Sequence, residues 1–126
     1  MGGSILIVED DPTMVRAIAR NLEARGYAVR YAATVADAAD AVRQAVPDLL
    51  LLDIDLPDGS GWEVLRALRE AGRWDVPAII MSALRPNSRL AEELDAGGML
   101  EKPFPMESLL RLVAELGRSD GGDMEE

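Results

Sequence analysis

Two apolar runs of this chain end in acids. "LLLLDID" (49–55) closes on Asp53 and Asp55, and "ILIVEDD" (5–11) closes on Glu9, Asp10 and Asp11. A chain that needed only a core would not finish buried segments this way. Carboxylates held together in a partly dehydrated cleft raise one another's pKa unless a cation intervenes. The chain has no histidine and no cysteine. Carboxylates are therefore the only candidate metal ligands, and they suit a hard ion such as Mg²⁺. An acid beside such an ion can attack phosphorus as a nucleophile and form an acyl phosphate. The transferring group then needs partners for its oxygens, which the Ser82 hydroxyl, the Ala83 N–H and the Lys102 ammonium could supply. Lys102 stands out, because twelve of the thirteen basic residues are arginine and the one lysine directly precedes Pro103-Phe104.

Composition narrows the partners. The 126 residues suffice for one domain with its own core. Without cysteine there is no disulfide framework. With 13 basic and 23 acidic residues the net charge is −10, which argues against direct nucleic acid binding. No apolar run is long enough to span a membrane and the N-terminus has no signal-peptide character, so no membrane partner and a cytoplasmic location are expected.

Apolar runs alternate with helical periods from end to end. "SILIVE" (4–9) reads as a strand buried on both faces. In the helix that follows, Asp11 is the expected N-cap, Pro12 the first residue and Gly26 the stop, with Met14, Val15, Ile18 and Leu22 on one stripe. "AVRYA" (28–32) is a more polar strand, placed nearer an edge. Thr34 caps a helix with Asp37 at the capping-box position, and Pro47 stops it. "DLLLLD" (48–53) is the central strand, and "LPDGSG" is a turn in which Gly59 and Gly61 serve backbone geometry. The helix "WEVLRALREAG" follows, burying Val64, Leu65 and Leu68. "VPAIIMS" (76–82), a helix around 86–95, "MLEK" (99–102) and a helix over 106–117 complete the pattern. Trp62 and Trp74 are read as half-buried packing residues. In the last helix Leu109, Leu110, Leu112, Val113 and Leu116 span more than one stripe, which leaves open a docking face or ordinary surface leucines. The domain is assigned to 1–117, and "RSDGGDMEE" (118–126) to a disordered acidic tail.

Five strands alternating with five helices imply an α/β fold with right-handed crossovers. The arrangement predicted is a flavodoxin-like, doubly wound, five-stranded parallel sheet of order 2-1-3-4-5. Sites in such sheets form at the carboxyl ends of the strands. There the first strand ends in Glu9 and Asp10, the third in Asp53, the fourth in Ser82 and the fifth in Lys102, so the unusual polar residues converge on one edge.

"ILIVEDDP", "DLLLLDIDLPDGSG", "AIIMSA" and "EKPF" together make the chain resemble the receiver domain of two-component response regulators over about residues 4–117. The resemblance implies a bacterial, stand-alone, phosphoryl-accepting switch of a two-component system or phosphorelay. It would take a phosphoryl group, with Mg²⁺, from the phosphohistidine of a sensor histidine kinase or histidine phosphotransfer protein. A downstream protein partner would read the result. Such a domain catalyses its own phosphorylation and dephosphorylation and is not a turnover enzyme. By the same resemblance Asp53 is the phosphoacceptor. Glu9, Asp10 and Asp53 hold Mg²⁺ with the backbone carbonyl of Asp55, Ser82 is the switch hydroxyl, Lys102 pairs with the phosphoryl group, and Lys102–Pro103 is cis. There are departures from the family pattern: Met99 replaces its usual aromatic residue, and the loop "DAGGM" is shorter than its usual form. Asp55 and Leu84 hold the positions that tune phosphoryl loss in the family. No output domain follows residue 117, so direct control of transcription is not expected.

Singly, these residues have plainer readings. Glu9, Asp10 and Asp11 could cap a helix, Asp53 could face the next helix, and Lys102 could be a surface residue. "LLLLDIDL" also resembles the first motif of haloacid-dehalogenase-type phosphatases, but that reading leaves Glu9 and Asp10 unexplained and meets Pro57 where the motif continues differently. A third alternative is a receiver-like module that binds partners without phosphorylation.

Overall fold

The computed structural model describes residues 3–84 and 87–117; the expected tail over 118–126 lies outside them. In chain order the elements are β1 (Ser4–Val8), α1 (Pro12–Glu23), β2 (Ala28–Ala32), α2 (Val35–Gln44), β3 (Leu49–Asp53), β4 (Asp55–Leu56) and β5 (Gly59–Ser60). They continue with α3 (Gly61–Glu70), β6 (Ala78–Ser82), α4 (Ser88–Glu93), β7 (Gly98–Glu101) and α5 (Met106–Gly117). The main sheet is parallel, in the order β2-β1-β3-β6-β7. This is the predicted 2-1-3-4-5 arrangement of a flavodoxin-like fold. The two-residue strands β4 and β5 pair only with each other, as an antiparallel hairpin after Asp53.

The absence of polar alternation in the strands follows from two cores. Leu6, Val8, Leu50, Leu52, Ala78 and Ile80 face α2, α3 and α4. Ile5, Ile7, Leu49, Leu51, Ile79 and Met81 face α1 and α5. Both faces of β1, β3 and β6 are dry, so every position in them must be apolar until the strand reaches its end. Each leucine fully buried in β3 contributes about 2 kcal/mol, which makes β3 a rigid support for the residue that terminates it.

The ends of the helices follow local chemistry. Asp11 caps α1, accepting from the N–H groups of Thr13 and Met14, and Pro12 opens the helix. The helix stops at Glu23, and Gly26 turns the chain at φ 90°. Thr34 accepts from the Asp37 N–H. The complete capping box lies instead at α3, where Ser60 and Glu63 bond reciprocally. α4 is shorter than predicted, starting after an Asn87 cap, because its thin apolar stripe anchors little more than one turn. In α5 the second leucine stripe is occupied. A Cβ on Gly97 would stand 2.9 Å from Leu116 Cδ1, and one on Gly98 would stand 3.0 Å from Leu112 Cδ1. The glycines let the helix settle onto β7, so these leucines pack within the domain. Trp62 is buried, whereas Trp74 is half exposed with its ring 5.3 Å from the Arg69 guanidinium.

Candidate functional site: an acidic cleft closed by one lysine

β1, β3, β6 and β7 deliver polar residues as they leave the core. Glu9 extends β1 by one residue, its N–H donating to the Ala32 carbonyl, and its side chain is buried. Its Oε2 accepts the Asp11 N–H at 3.1 Å, and its Oε1 accepts from Lys102 Nζ at 2.8 Å. Asp53 is the last residue of β3 and is also buried. Its Oδ1 accepts the Asp55 N–H at 3.2 Å and lies 3.4 Å from Lys102 Nζ. Asp10 is exposed at the rim. One carboxylate oxygen from each of Glu9, Asp10 and Asp53 lies within 4.8 Å of the others.

The other wall comes from β6 and β7. Met81 is opposite Asp53 in the β3–β6 register, which puts Ser82 at the same rim. The Ser82 carbonyl accepts the Lys102 N–H at 2.7 Å, and its Oγ accepts the Leu84 N–H at 3.2 Å. Lys102 follows β7 and precedes a cis peptide bond to Pro103. Its ammonium spans the sheet from β7 to β1, reaching a residue 93 positions earlier in the chain.

The hairpin packs directly beneath Asp53. Gly61 donates its N–H to the Ile54 carbonyl at 2.8 Å. A Cβ on Gly61 would lie 2.1 Å from the Asp53 carbonyl oxygen, so only glycine allows this approach.

Burial pushes the carboxyl pKa values of both Glu9 and Asp53 upward, and Lys102 offsets this only in part. Each also has an acid working against it: Asp53 for Glu9, and Asp10 for Asp53. For Lys102 burial acts to lower the pKa, but the bond to Glu9 and the charge of Asp53 outweigh it, and the value is raised. Acids carrying an excess of negative charge, one of them at the rim, form a donor set that fits a hard divalent cation.

Glu9, Asp10, Asp53, Ser82 and Lys102 thus meet at one edge. Asp55 places its backbone beside Asp53 while its side chain is exposed. Asp11 is a cap. Met99 and Leu84 are exposed. The sequence reading passed over Asp58, which accepts from the N–H groups of Val35 and Ala36 at 2.7 and 3.1 Å. Its partners are more than twenty residues away, and an aspartate in a turn gives no local sign of them.

Residues 5–114 match the family model described as response regulator receiver domain. The transcriptional regulatory protein KdpE of Mycobacterium tuberculosis is 41% identical over 118 residues, covering 91% of this chain and 51% of that protein. The swarming motility regulation protein RssB of Serratia marcescens is 37% identical over 121 residues, covering 94% and 55%. The chain therefore spans about half the length of these relatives. Among solved structures, a CheY-like receiver domain protein from Methanospirillum hungatei JF-1 superposes with a TM-score of 0.84 at 28% identity, covering 91% of this chain and 93% of that one. No helix among the described residues is long and apolar enough to cross a membrane. With this fold, this rim of acids and these matches, the chain belongs to the response regulator receiver domains of two-component systems.

Proposed function

We propose that this chain accepts a phosphoryl group on Asp53 from the phosphohistidine of a sensor histidine kinase or a histidine phosphotransfer protein. The observation that carries the reading is the setting of Asp53. It is a buried carboxylate on a rigid strand end, 3.4 Å from the one lysine of the chain and grouped with Glu9 and Asp10. Glu9, Asp10, Asp53 and the Asp55 carbonyl would hold Mg²⁺, which when bound supplies charge neutralisation for the cleft and for the phosphoryl oxygens.

The Asp53 carboxylate attacks phosphorus. The P–N bond to the donor imidazole breaks, and its electron pair leaves with that nitrogen. The Lys102 ammonium already faces Asp53 and offers its positive charge to the arriving oxygens. Ser82 Oγ accepts the Leu84 N–H, so its own hydrogen remains available to donate, beside the N–H of Ala83. Phosphorylation changes the partners of Ser82 and Lys102, and a protein partner reads the altered surface. The net charge of −10 favours a protein over nucleic acid in that role. The chain works as a switch, catalysing its own modification and its reversal.

Intact-mass measurement after incubation with acetyl phosphate, with and without Mg²⁺, tests the reading. One added phosphoryl group is expected, dependent on Mg²⁺ and missing in Asp53→Asn. A folded wild-type protein that gains no mass would refute it.

A further inference from the structure

The hairpin that carries Asp55 is anchored at its base and at its tip. At the base, the Ser60–Glu63 capping box joins it to the start of α3, and the Gly61 N–H bonds to Ile54. At the tip, Asp58 reaches away from the hairpin. Its two carboxylate oxygens accept separately from Val35 N–H at 2.7 Å and Ala36 N–H at 3.1 Å, the first two donors of α2. Those backbone bonds hold the Asp58 carboxyl below the usual range.

The cap that α2 needs for itself is already in place. Thr34 Oγ1 accepts the Asp37 N–H at 3.0 Å. The Val35 and Ala36 donors lie at an exposed helix end, where water could satisfy them. The bonds from Asp58 therefore do more for the hairpin than for the helix. α2 is also a fixed anchor point. Arg30 of β2 donates to the Ala41 and Ala45 carbonyls at its far end, at 2.8 and 2.6 Å.

We propose that Asp58 is a positioning residue for the metal site: by pinning the hairpin tip to the N-terminus of α2 it fixes the Asp55 carbonyl in place for Mg²⁺. This rests on the reading of Asp55 as a backbone ligand given above. Between the two anchored points lie Asp55, Leu56 and Pro57. Asp55 and Leu56 pair with Ser60 and Gly59 across the hairpin, and the N–H of the Ile54–Asp55 peptide bonds to Asp53 Oδ1, so the Asp55 carbonyl follows the orientation of the hairpin as a whole. Without the tip anchor the hairpin can tilt as a unit, and ligand orientation is lost with no ligand atom removed. Supporting contacts of this kind typically change metal affinity by about 10- to 100-fold.

The test is calorimetric titration of Mg²⁺ into the full chain, comparing wild type, Asp58→Ala, Asp58→Asn and Thr34→Ala. Asp58→Ala should bind Mg²⁺ about 10-fold more weakly. Asp58→Asn keeps one acceptor oxygen and should recover part of that loss. Thr34→Ala removes a cap of the same helix without touching the hairpin. It should lower the urea midpoint about as much as Asp58→Ala does while leaving Mg²⁺ affinity unchanged. Equal affinity in wild type and Asp58→Ala would overturn the proposal, as would an equal loss in Thr34→Ala. A wild type that binds no Mg²⁺ would instead overturn the metal-site reading beneath it.

Discussion

Lys102 and Arg69 are both cations drawn in from water, at opposite ends of the sheet, and they are held by opposite kinds of partner. Arg69 is buried and donates to four backbone carbonyls: Leu94, Arg73, Val76 and Asp95, at 2.7 to 3.1 Å. Lys102 keeps about a fifth of its side chain exposed and faces the carboxylates of Glu9 and Asp53. Carbonyls at helix ends are permanent dipoles, so the Arg69 arrangement has one state, and it ties α3 to the end of α4 and the entry to β6. Carboxylates can gain protons, metal or a phosphoryl group, so the Lys102 arrangement has several. The fold places an invariable charge where it needs stiffness and a variable one where it needs response.

The largest test of this contrast is Arg69→Met. Two buried carbonyls, of Leu94 and Val76, and two part-buried ones, of Arg73 and Asp95, would lose their donor at once, and an orphaned buried acceptor costs about 1–3 kcal/mol. With partial relaxation, a loss of roughly 4 kcal/mol by urea unfolding is expected. Arg69→Lys should recover little, because an ammonium with three donors cannot match the planar fork. The fraction that stays folded should take up a phosphoryl group normally. A drop in uptake there would show that the two ends are coupled and break the contrast.

Lys102→Met should behave in the opposite way. Two carboxylates lose their counter-charge, but water reaches this rim, so a stability loss of about 1–2 kcal/mol is expected in the metal-free protein. Added Mg²⁺ should restore much of it, since a cation can replace a cation here. Phosphoryl uptake should fall by about 10²-fold, as when one stabilising donor is removed. An Mg²⁺-insensitive loss as large as that of Arg69→Met would mean that Lys102 is structural too.

Asp53→Asn sharpens the comparison from the carboxylate side. Burial and the neighbouring acid already disfavour the charged form of Asp53. Removing that charge should therefore raise the unfolding free energy of the metal-free protein in urea modestly, by about 1 kcal/mol, while abolishing phosphoryl uptake. Destabilisation would indicate that Lys102 overcompensates the charge.

The sequence made one of these two cations visible and hid the other. Lys102 is the single lysine, it precedes Pro-Phe, and it ends a strand whose neighbours end in acids. Sheet topology then sufficed to bring Glu9, Asp10, Asp53, Ser82 and Lys102 to one rim. Arg69 is one of twelve arginines on a helix, and its acceptors are backbone atoms, which no residue pattern marks. The same limit applies to Asp58, whose partners are the N–H groups of α2. It also explains the hairpin, because "LPDGSG" shows a turn and not the two-residue strands or the capping box at Ser60 and Glu63. The outward leucines of α5 depended on Gly97 and Gly98, whose packing role becomes clear only when helix and strand are docked.

The smallest expected effect concerns acid, and it separates a titratable tie from a permanent one. The carboxyl of Asp58 is held below its ordinary value of 3.8 by the backbone donors of α2. Its folded form thus binds protons less readily than the unfolded chain does. Stability from this tie is present above the ordinary carboxylate value and is lost as pH falls through the lowered folded value. Wild type should therefore exceed Asp58→Asn in urea midpoint near neutral pH, and the gap should narrow only as the pH drops below about 4. The Arg69 carbonyls cannot titrate, so the gap between wild type and Arg69→Lys should stay constant over the same range. A gap for Asp58→Asn that persists unchanged to about pH 3 would mean that its carboxylate charge contributes nothing to the tie. The gap would then come from two acceptor oxygens against one, not from charge.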